Sequence, residues 1–188
     1  MSEQLARRFT TLCLAKGEYK KSGQAWVATL SPRDLPAAAQ ELLDAEFHIE
    51  DVCGLDISEG LMAVYHFDHF TRPGRVTLRV LADRDKPEIP TISHIFQGAN
   101  WHERETNDFY GIIFTGHPNL IPLLLPEDAD FHPLLKEEAA RKNAAALLEK
   151  GEILDQAAGF TLFDAPVADA PIESGASGEG EAAGEGGK

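Results

Sequence analysis

Apolar residues along this chain change their spacing several times, and each spacing predicts an element. Leu5, Phe9, Leu12 and Cys13 fall at i, i+4, i+7 and i+8, which predicts an amphipathic first helix. QAWVATL, residues 24–30, reads as a strand. SPRDLPAAAQELLDA then predicts a helix, with Ser31 as N-cap, Pro32 at the first helical position and Asp34 in the first turn. FHIEDVCGLDI, residues 47–57, and LMAVYHF, residues 61–67, are two further strands joined across a Ser-Glu-Gly turn. In residues 75–82, Val76, Leu78 and Val80 alternate with Arg75, Thr77 and Arg79, the period-two pattern of a half-buried strand.

Strand, helix, then three strands in hairpin-like succession predict an α+β fold with a mostly antiparallel sheet and packing helices. Pro87 and Pro90 mark the exit from the sheet, and a helix is expected from Ile92 or Ser93 onward. Gly111 can end that helix, with GIIF adding a short strand. Pro118, Pro122 and Pro126 then recur every fourth residue around NLI and LLL, which predicts an extended arm. Residues 137–151, EEAARKNAAALLEKG, predict a late helix ending at Gly151. The final SGASGEGEAAGEGGK lacks the apolar surface to offset ordering entropy and is expected to be disordered. The expected organisation is an α+β domain over residues 1–115, an arm over 116–136, the late helix and its exit over 137–163, and an acidic tail over 164–188.

Charge removes one class of function. A net charge of −14 over 188 residues argues against general nucleic-acid binding, which needs a basic surface. No apolar run approaches bilayer length. Cys13 and Cys53, the two cysteines, cannot supply the four thiolates of an iron–sulfur cluster, and they suit a reducing cytoplasm as small core residues. Neither a Walker A sequence nor a GxGxxG after a strand is present.

The chemically richest stretch is NWHERETNDFYGIIFTGHPNL, residues 100–120. On a helix, Ile92, Phe96, Ala99, Glu103 and Tyr110 share a face, so Glu103 lies in an apolar stripe. It therefore requires an arginine, a hydrogen-bond donor or a partner subunit opposite. Arg104 is placed to stack on Trp101 and pair with Asp108, while Glu105 points away toward His102 and Phe109. Helical neighbours diverge, so Glu103 and Glu105 do not make an acid–base pair, and no catalytic residue is expected. Among seven histidines, His66 shares a strand side with Asp68 while His69 takes the other; His117 and His132 each precede a proline. No HExxH or HxH pattern gathers the three or four ligands zinc needs, so no metal is expected. The arm displays Leu120, Ile121, Leu123, Leu124 and Leu125, a patch suited to an interaction surface.

These motifs together resemble the thirty-kilodalton (or C-type) subunit family of respiratory complex I. The matching residues are Trp101, Glu103, Arg104, Glu105, Asp108, Gly111, Phe114, Gly116, His117 and Pro118, with Leu120 and Leu124 beyond them. VLADRDKPEIPTISHIFQGA before them, and LLLPED and HPLLK after, fit the same order, and the close match runs from about residue 75 to 136. Asn107 stands where the family usually has an aromatic residue, and Pro122 where it usually has arginine. The resemblance implies a cofactor-free structural subunit of the peripheral arm of a proton-translocating NADH:quinone oxidoreductase. It implies docking on the large hydrogenase-related subunit near the quinone site, on the cytoplasmic side of a bacterial inner membrane. NADH, flavin, iron–sulfur clusters and quinone would then belong to partner subunits, and membrane contact would come only through the complex. The homologous subunit of an energy-converting hydrogenase or formate hydrogenlyase is the alternative within this resemblance. A stand-alone metal-dependent enzyme is the alternative of another class.

Overall fold

The computed structural model describes residues 7–71, 74–149 and 151–164. The chain enters through β1 (Cys13–Lys16), makes one helical turn, α1 (Tyr19–Ser22), and returns antiparallel as β2 (Trp26–Leu30). A 3-10 turn over Pro32–Asp34 leads into α2 (Leu35–Asp44), and then come β3 (His48–Ile57), β4 (Gly60–Asp68) and β5 (Val76–Ala82) in an antiparallel meander. β6 (Glu88–Pro90), α3 (Ala99–Tyr110) and β7 (Ile113–Thr115) follow, with the two short strands paired in parallel. After a 3-10 turn over Glu138–Ala140 and the short α4 (Ala144–Leu147), β8 (Glu152–Gln156) pairs with the outer side of β1.

The main sheet has the order β3-β4-β5-β2-β1-β8. β2 and β5 run parallel, with α2 and the two strands after it making the crossover; the other neighbours are antiparallel. The expected α+β architecture is what forms. One face packs Leu35, Ala38 and Leu42 of α2 against Tyr65, Phe67, Leu78 and Val80, with Phe96, Ala99, Ile112 and Phe114 around α3 closing the same core. A smaller cluster of Cys13, Ile57, Met62, Val64, Ala144, Leu162 and Phe163 covers the other face.

Four expectations are corrected. Residues 13–16 form a strand rather than the end of a first helix; residues 1–6 lie outside the described ones. Cys13, Leu14 and Ala15 are buried between β2 and β8, and a strand buried on both faces reads as a continuous apolar run that can mimic a helical stripe. β5 is likewise buried on both faces, not half-buried, because Thr77 and Arg79 lie under the second cluster. Burial pulls the Arg79 pKa down to about 10, and its guanidinium donates to the Glu149 carbonyl at 3.1 Å, drawing the chain before β8 across that face.

The central helix begins at Ala99, not at residue 92 or 93. Thr91 and Ser93 bond each other, and the Ser93 amide donates to the Thr91 hydroxyl, a local alternative to helix that these residue types favour. The single late helix is replaced by the 3-10 turn, the short α4 and β8. Helix propensity over residues 137–151 yields to fixed tertiary contacts: Arg141 pairs with Asp56 at 3.3 Å, and Lys142 bridges Ile57. Asn143 then caps a new start by accepting the Ala146 amide at 2.8 Å. The expected disordered tail falls outside the described residues, except for residue 164.

Candidate interaction surface

α3 carries Trp101, Glu103, Arg104, Glu105 and Asp108, five of the twelve residues that the resemblance marks. Gly111 ends it in the left-handed conformation (φ 73°), and a Cβ there would lie 2.7 Å from the His132 ring. Phe114 is buried one strand further on, and Gly116 (φ 82°) turns the chain toward His117.

Glu103 is fully buried, as its place in an apolar stripe required, and it has donors opposite it. The Thr91 hydroxyl donates to one carboxylate oxygen, and the Ile92 amide to the other at 2.9 Å. Burial raises the Glu103 pKa to about 7, although both donors pull the other way. His117 lies close by, its Nε2 3.9 Å from the carboxylate. The Asn119 amide donates to Nδ1, so Nε2 carries the proton and donates to the Asn100 carbonyl at 3.2 Å. Burial, opposed by the Asn100 bond and helped by the Arg104 charge, lowers the His117 pKa. Glu103 thus fastens the start of α3 to the segment entering it, and Thr91 is the partner that sequence reasoning missed.

Arg104 and Asp108 do not meet in the expected stack and ion pair. Both turn to the arm. Arg104 donates to the carbonyls of Ile121 and Pro122 at 3.0 and 2.9 Å. One oxygen of Asp108 accepts the amides of Leu123, Leu124 and Leu125 at 2.9, 2.7 and 3.1 Å. Burial would raise the Asp108 pKa, but the three amides and the Arg104 charge outweigh it and hold the carboxyl below its ordinary range. Proline explains the need for this arrangement: it keeps the segment out of helix and sheet, and the amides that remain require another acceptor.

The arm is tied again further on. His132 Nδ1 donates to the Asp108 carbonyl at 2.8 Å, and the Leu134 amide donates to the Phe109 carbonyl at 3.1 Å. The Lys136 amide reaches the buried Asp56 at 2.7 Å, where Arg84 (2.8 Å) and Arg141 also converge. Burial opposes these contacts, yet together they hold Asp56 below the ordinary carboxylate range. An aspartate set between Leu55 and Ile57 at the end of a predicted strand was the available sequence signal for that anchor.

With its backbone fixed, the segment leaves Ile121 and Leu124 outside, whereas Leu120, Leu123 and Leu125, expected in the same patch, are half-buried. Leu124 is 60% exposed and Phe131 56%, while Trp101 on α3 is 66% exposed; Ile113, Ile121, Leu134 and Leu135 are exposed as well. Leu120 packs against the core, and Pro118 is exposed. Glu105 borders a cavity of about 210 Å³ together with Cys53, Gly54, Phe109, Tyr110 and Leu134. His66 bonds Asp51 through Nδ1 at 2.6 Å, while Asp68, its expected same-side companion, accepts the His69 amide at 2.7 Å. Cys53 lies near Asp51 and His66 and is exposed, not the core residue expected; partial desolvation by the protein around it, then the Asp51 charge, push its thiol up to about 11. Among the described residues, no helix is long and apolar enough to cross a membrane.

The fold and this surface define a small α+β subunit that presents an anchored, apolar segment outside its core. The chain belongs to the family of the respiratory-chain NADH dehydrogenase 30 Kd subunit, whose model matches residues 28–144. It is 45% identical over 92 residues to the NADH-quinone oxidoreductase C subunit of Roseiflexus sp. (strain RS-1), a stretch that is 47% of this chain and 53% of that protein. It is 35% identical over 150 residues to the same-named protein of Acidithiobacillus ferrooxidans (strain ATCC 53993 / BNL-5-31), covering 73% of this chain and 71% of that protein. The chain thus spans about half the length of the Roseiflexus relative and more of the second. Among solved structures, a chain of the membrane-bound sulfane sulfur reductase (MBS), an archaeal respiratory membrane complex, shares the fold. Its TM-score is 0.59 at 19% identity, covering 70% of this chain and 79% of that one.

Proposed function

We propose that this chain is a structural subunit of the peripheral arm of a complex I-like, proton-translocating NADH:quinone oxidoreductase. In this reading it carries no redox group and docks on the large hydrogenase-related subunit near the quinone site, at the cytoplasmic face of a bacterial inner membrane. Family membership supports the parent complex. The observation that carries the docking role is the contrast along the arm. Buried Asp108 and Asp56 fix its backbone, while Trp101, Ile121, Leu124, Phe131, Leu134 and Leu135 remain exposed. Fixing a loop in advance removes ordering cost at the moment of binding, and exposed aromatic and aliphatic anchors supply the contact energy.

The test is isolation of the affinity-tagged chain from its own cells in mild detergent. It should bring down subunits with iron–sulfur absorbance and NADH:quinone activity. The chain separated from them should be colourless and should not oxidise NADH. Recovery with a nickel hydrogenase instead, or stoichiometric flavin or iron–sulfur absorbance in the separated chain, overturns the reading.

A further inference from the structure

One atom each from the Asp51 carboxylate, the Cys53 thiol and the His66 imidazole lie within 4.8 Å of one another. The sheet register brings them together. Asp51 and Cys53 are two apart on β3 and so share a face. Asp51 stands opposite His66 on β4, and Cys53 opposite Val64. The pairing shifts between Ile49 and Asp51, which leaves Glu50 as the extra residue. Glu50 takes Arg75 in a two-pronged pair at 2.5 and 3.0 Å, so the guanidinium, whose charge is felt at Asp51, is already balanced. β3 is an edge strand, which gives an ion a path from solvent.

We propose that Asp51, Cys53 and His66 form a three-ligand site for a borderline-soft divalent cation, zinc foremost, with the fourth position open to water. The donor set selects the ion. A thiolate, an imidazole and a carboxylate are the ligands zinc takes tetrahedrally, whereas magnesium and calcium require oxygen shells. Bonds of about 2.0–2.3 Å lie within reach of modest side-chain rotation from the present spacing. The ion displaces the Asp51–His66 hydrogen bond and links the edge strand to its neighbour. The Cys53 S–H bond breaks as the sulfur–metal bond forms, and its proton passes to solvent. The site joins two strands of this chain and so stands independently of the proposed parent complex.

Cobalt(II) is the probe, titrated into the full chain freed of its tag. One equivalent should give the intense visible bands of a tetrahedral centre and a near-ultraviolet thiolate-to-cobalt band, both abolished by zinc. Cys53→Ser should remove the thiolate band. His66→Gln and Asp51→Asn should weaken binding at least about tenfold, since even the loss of a group that only orients a ligand costs that much. Cys13→Ser, which removes the other cysteine, should leave the spectrum unchanged. Circular dichroism confirms that each variant is folded, and the wild-type titration is decisive without any variant. No stoichiometric thiolate-to-cobalt band in the folded wild type, its survival in Cys53→Ser, or full affinity in His66→Gln overturns the proposal.

Discussion

Burial pushes the pKa of two acidic residues of the same helix, Glu103 and Asp108, upward, yet the two end on opposite sides of the ordinary range, and the difference lies in their donors. Glu103 has one hydroxyl and one amide in a fully buried place, and its pKa rises from 4.5 to about 7. Its folded form therefore holds a proton that its unfolded form releases. The associated stability is fully present below about pH 4.5 and is lost as pH rises through about 7. At about 1.36 kcal/mol per unit, wild type should lose about 3 kcal/mol relative to Glu103→Gln across that window, as urea unfolding at a series of pH values would measure. A flat difference would remove the buried carboxyl from the account. Asp108 has the depressed pKa, so its stabilisation is present above the unfolded value and fades only as pH falls through the folded one. Hydrogen exchange should accordingly show the amides of Leu123, Leu124 and Leu125 slower than those of Glu127 and Asp128, down to pH values below the usual carboxylate range. Asp108→Ala should abolish that protection at a cost on the order of 1–3 kcal/mol locally.

At the scale of elements, α3 depends on how it stops. Gly111 must adopt a left-handed backbone and must also leave room for the His132 ring. Gly159 shares the left-handed backbone (φ 81°) but has open space around it. Gly159→Ala should cost about 1–2 kcal/mol from backbone strain alone, and Gly111→Ala more, visible as the larger fall in Tm. Equal losses would mean that His132 moves aside freely. The elements legible in the sequence were those whose pattern is local: the apolar run of β2, the Pro32 start before α2, the Gly111 stop. Glu103 was legible because a charge in an apolar stripe demands donors. β1 and β8 were not, because their burial comes from neighbours distant in sequence. The partners of Arg104 were not legible either, because helical spacing reports which side chains can meet, not that a loop seventeen residues later offers better acceptors. The late segment failed for a similar reason, since Arg141 answers to Asp56, 85 residues earlier.

For the whole molecule, stability and assembly should separate at the surface. Trp101 and Leu124 are mostly exposed, so Trp101→Ala and Leu124→Ala should change unfolding free energy by no more than about 0.5 kcal/mol. A central aromatic anchor is worth about 2 kcal/mol or more at an interface, so occupancy of the complex in blue-native gels should fall roughly thirtyfold for Trp101→Ala at limiting concentration. Unchanged assembly in both variants would place the docking face elsewhere. The position of β8 carries a different consequence, for biosynthesis. β1 is complete on one side as soon as β2 follows it, but its outer edge waits for Glu152–Gln156. Ile153, Phe160, Leu162 and Phe163 of the second cluster arrive with or after that strand. A nascent chain that has already emitted the whole family-matched stretch, residues 28–144, therefore still shows a bare strand edge and an uncovered apolar face. During that interval it can pair with other nascent chains, and ribosome-associated chaperones would shield that edge until β8 emerges.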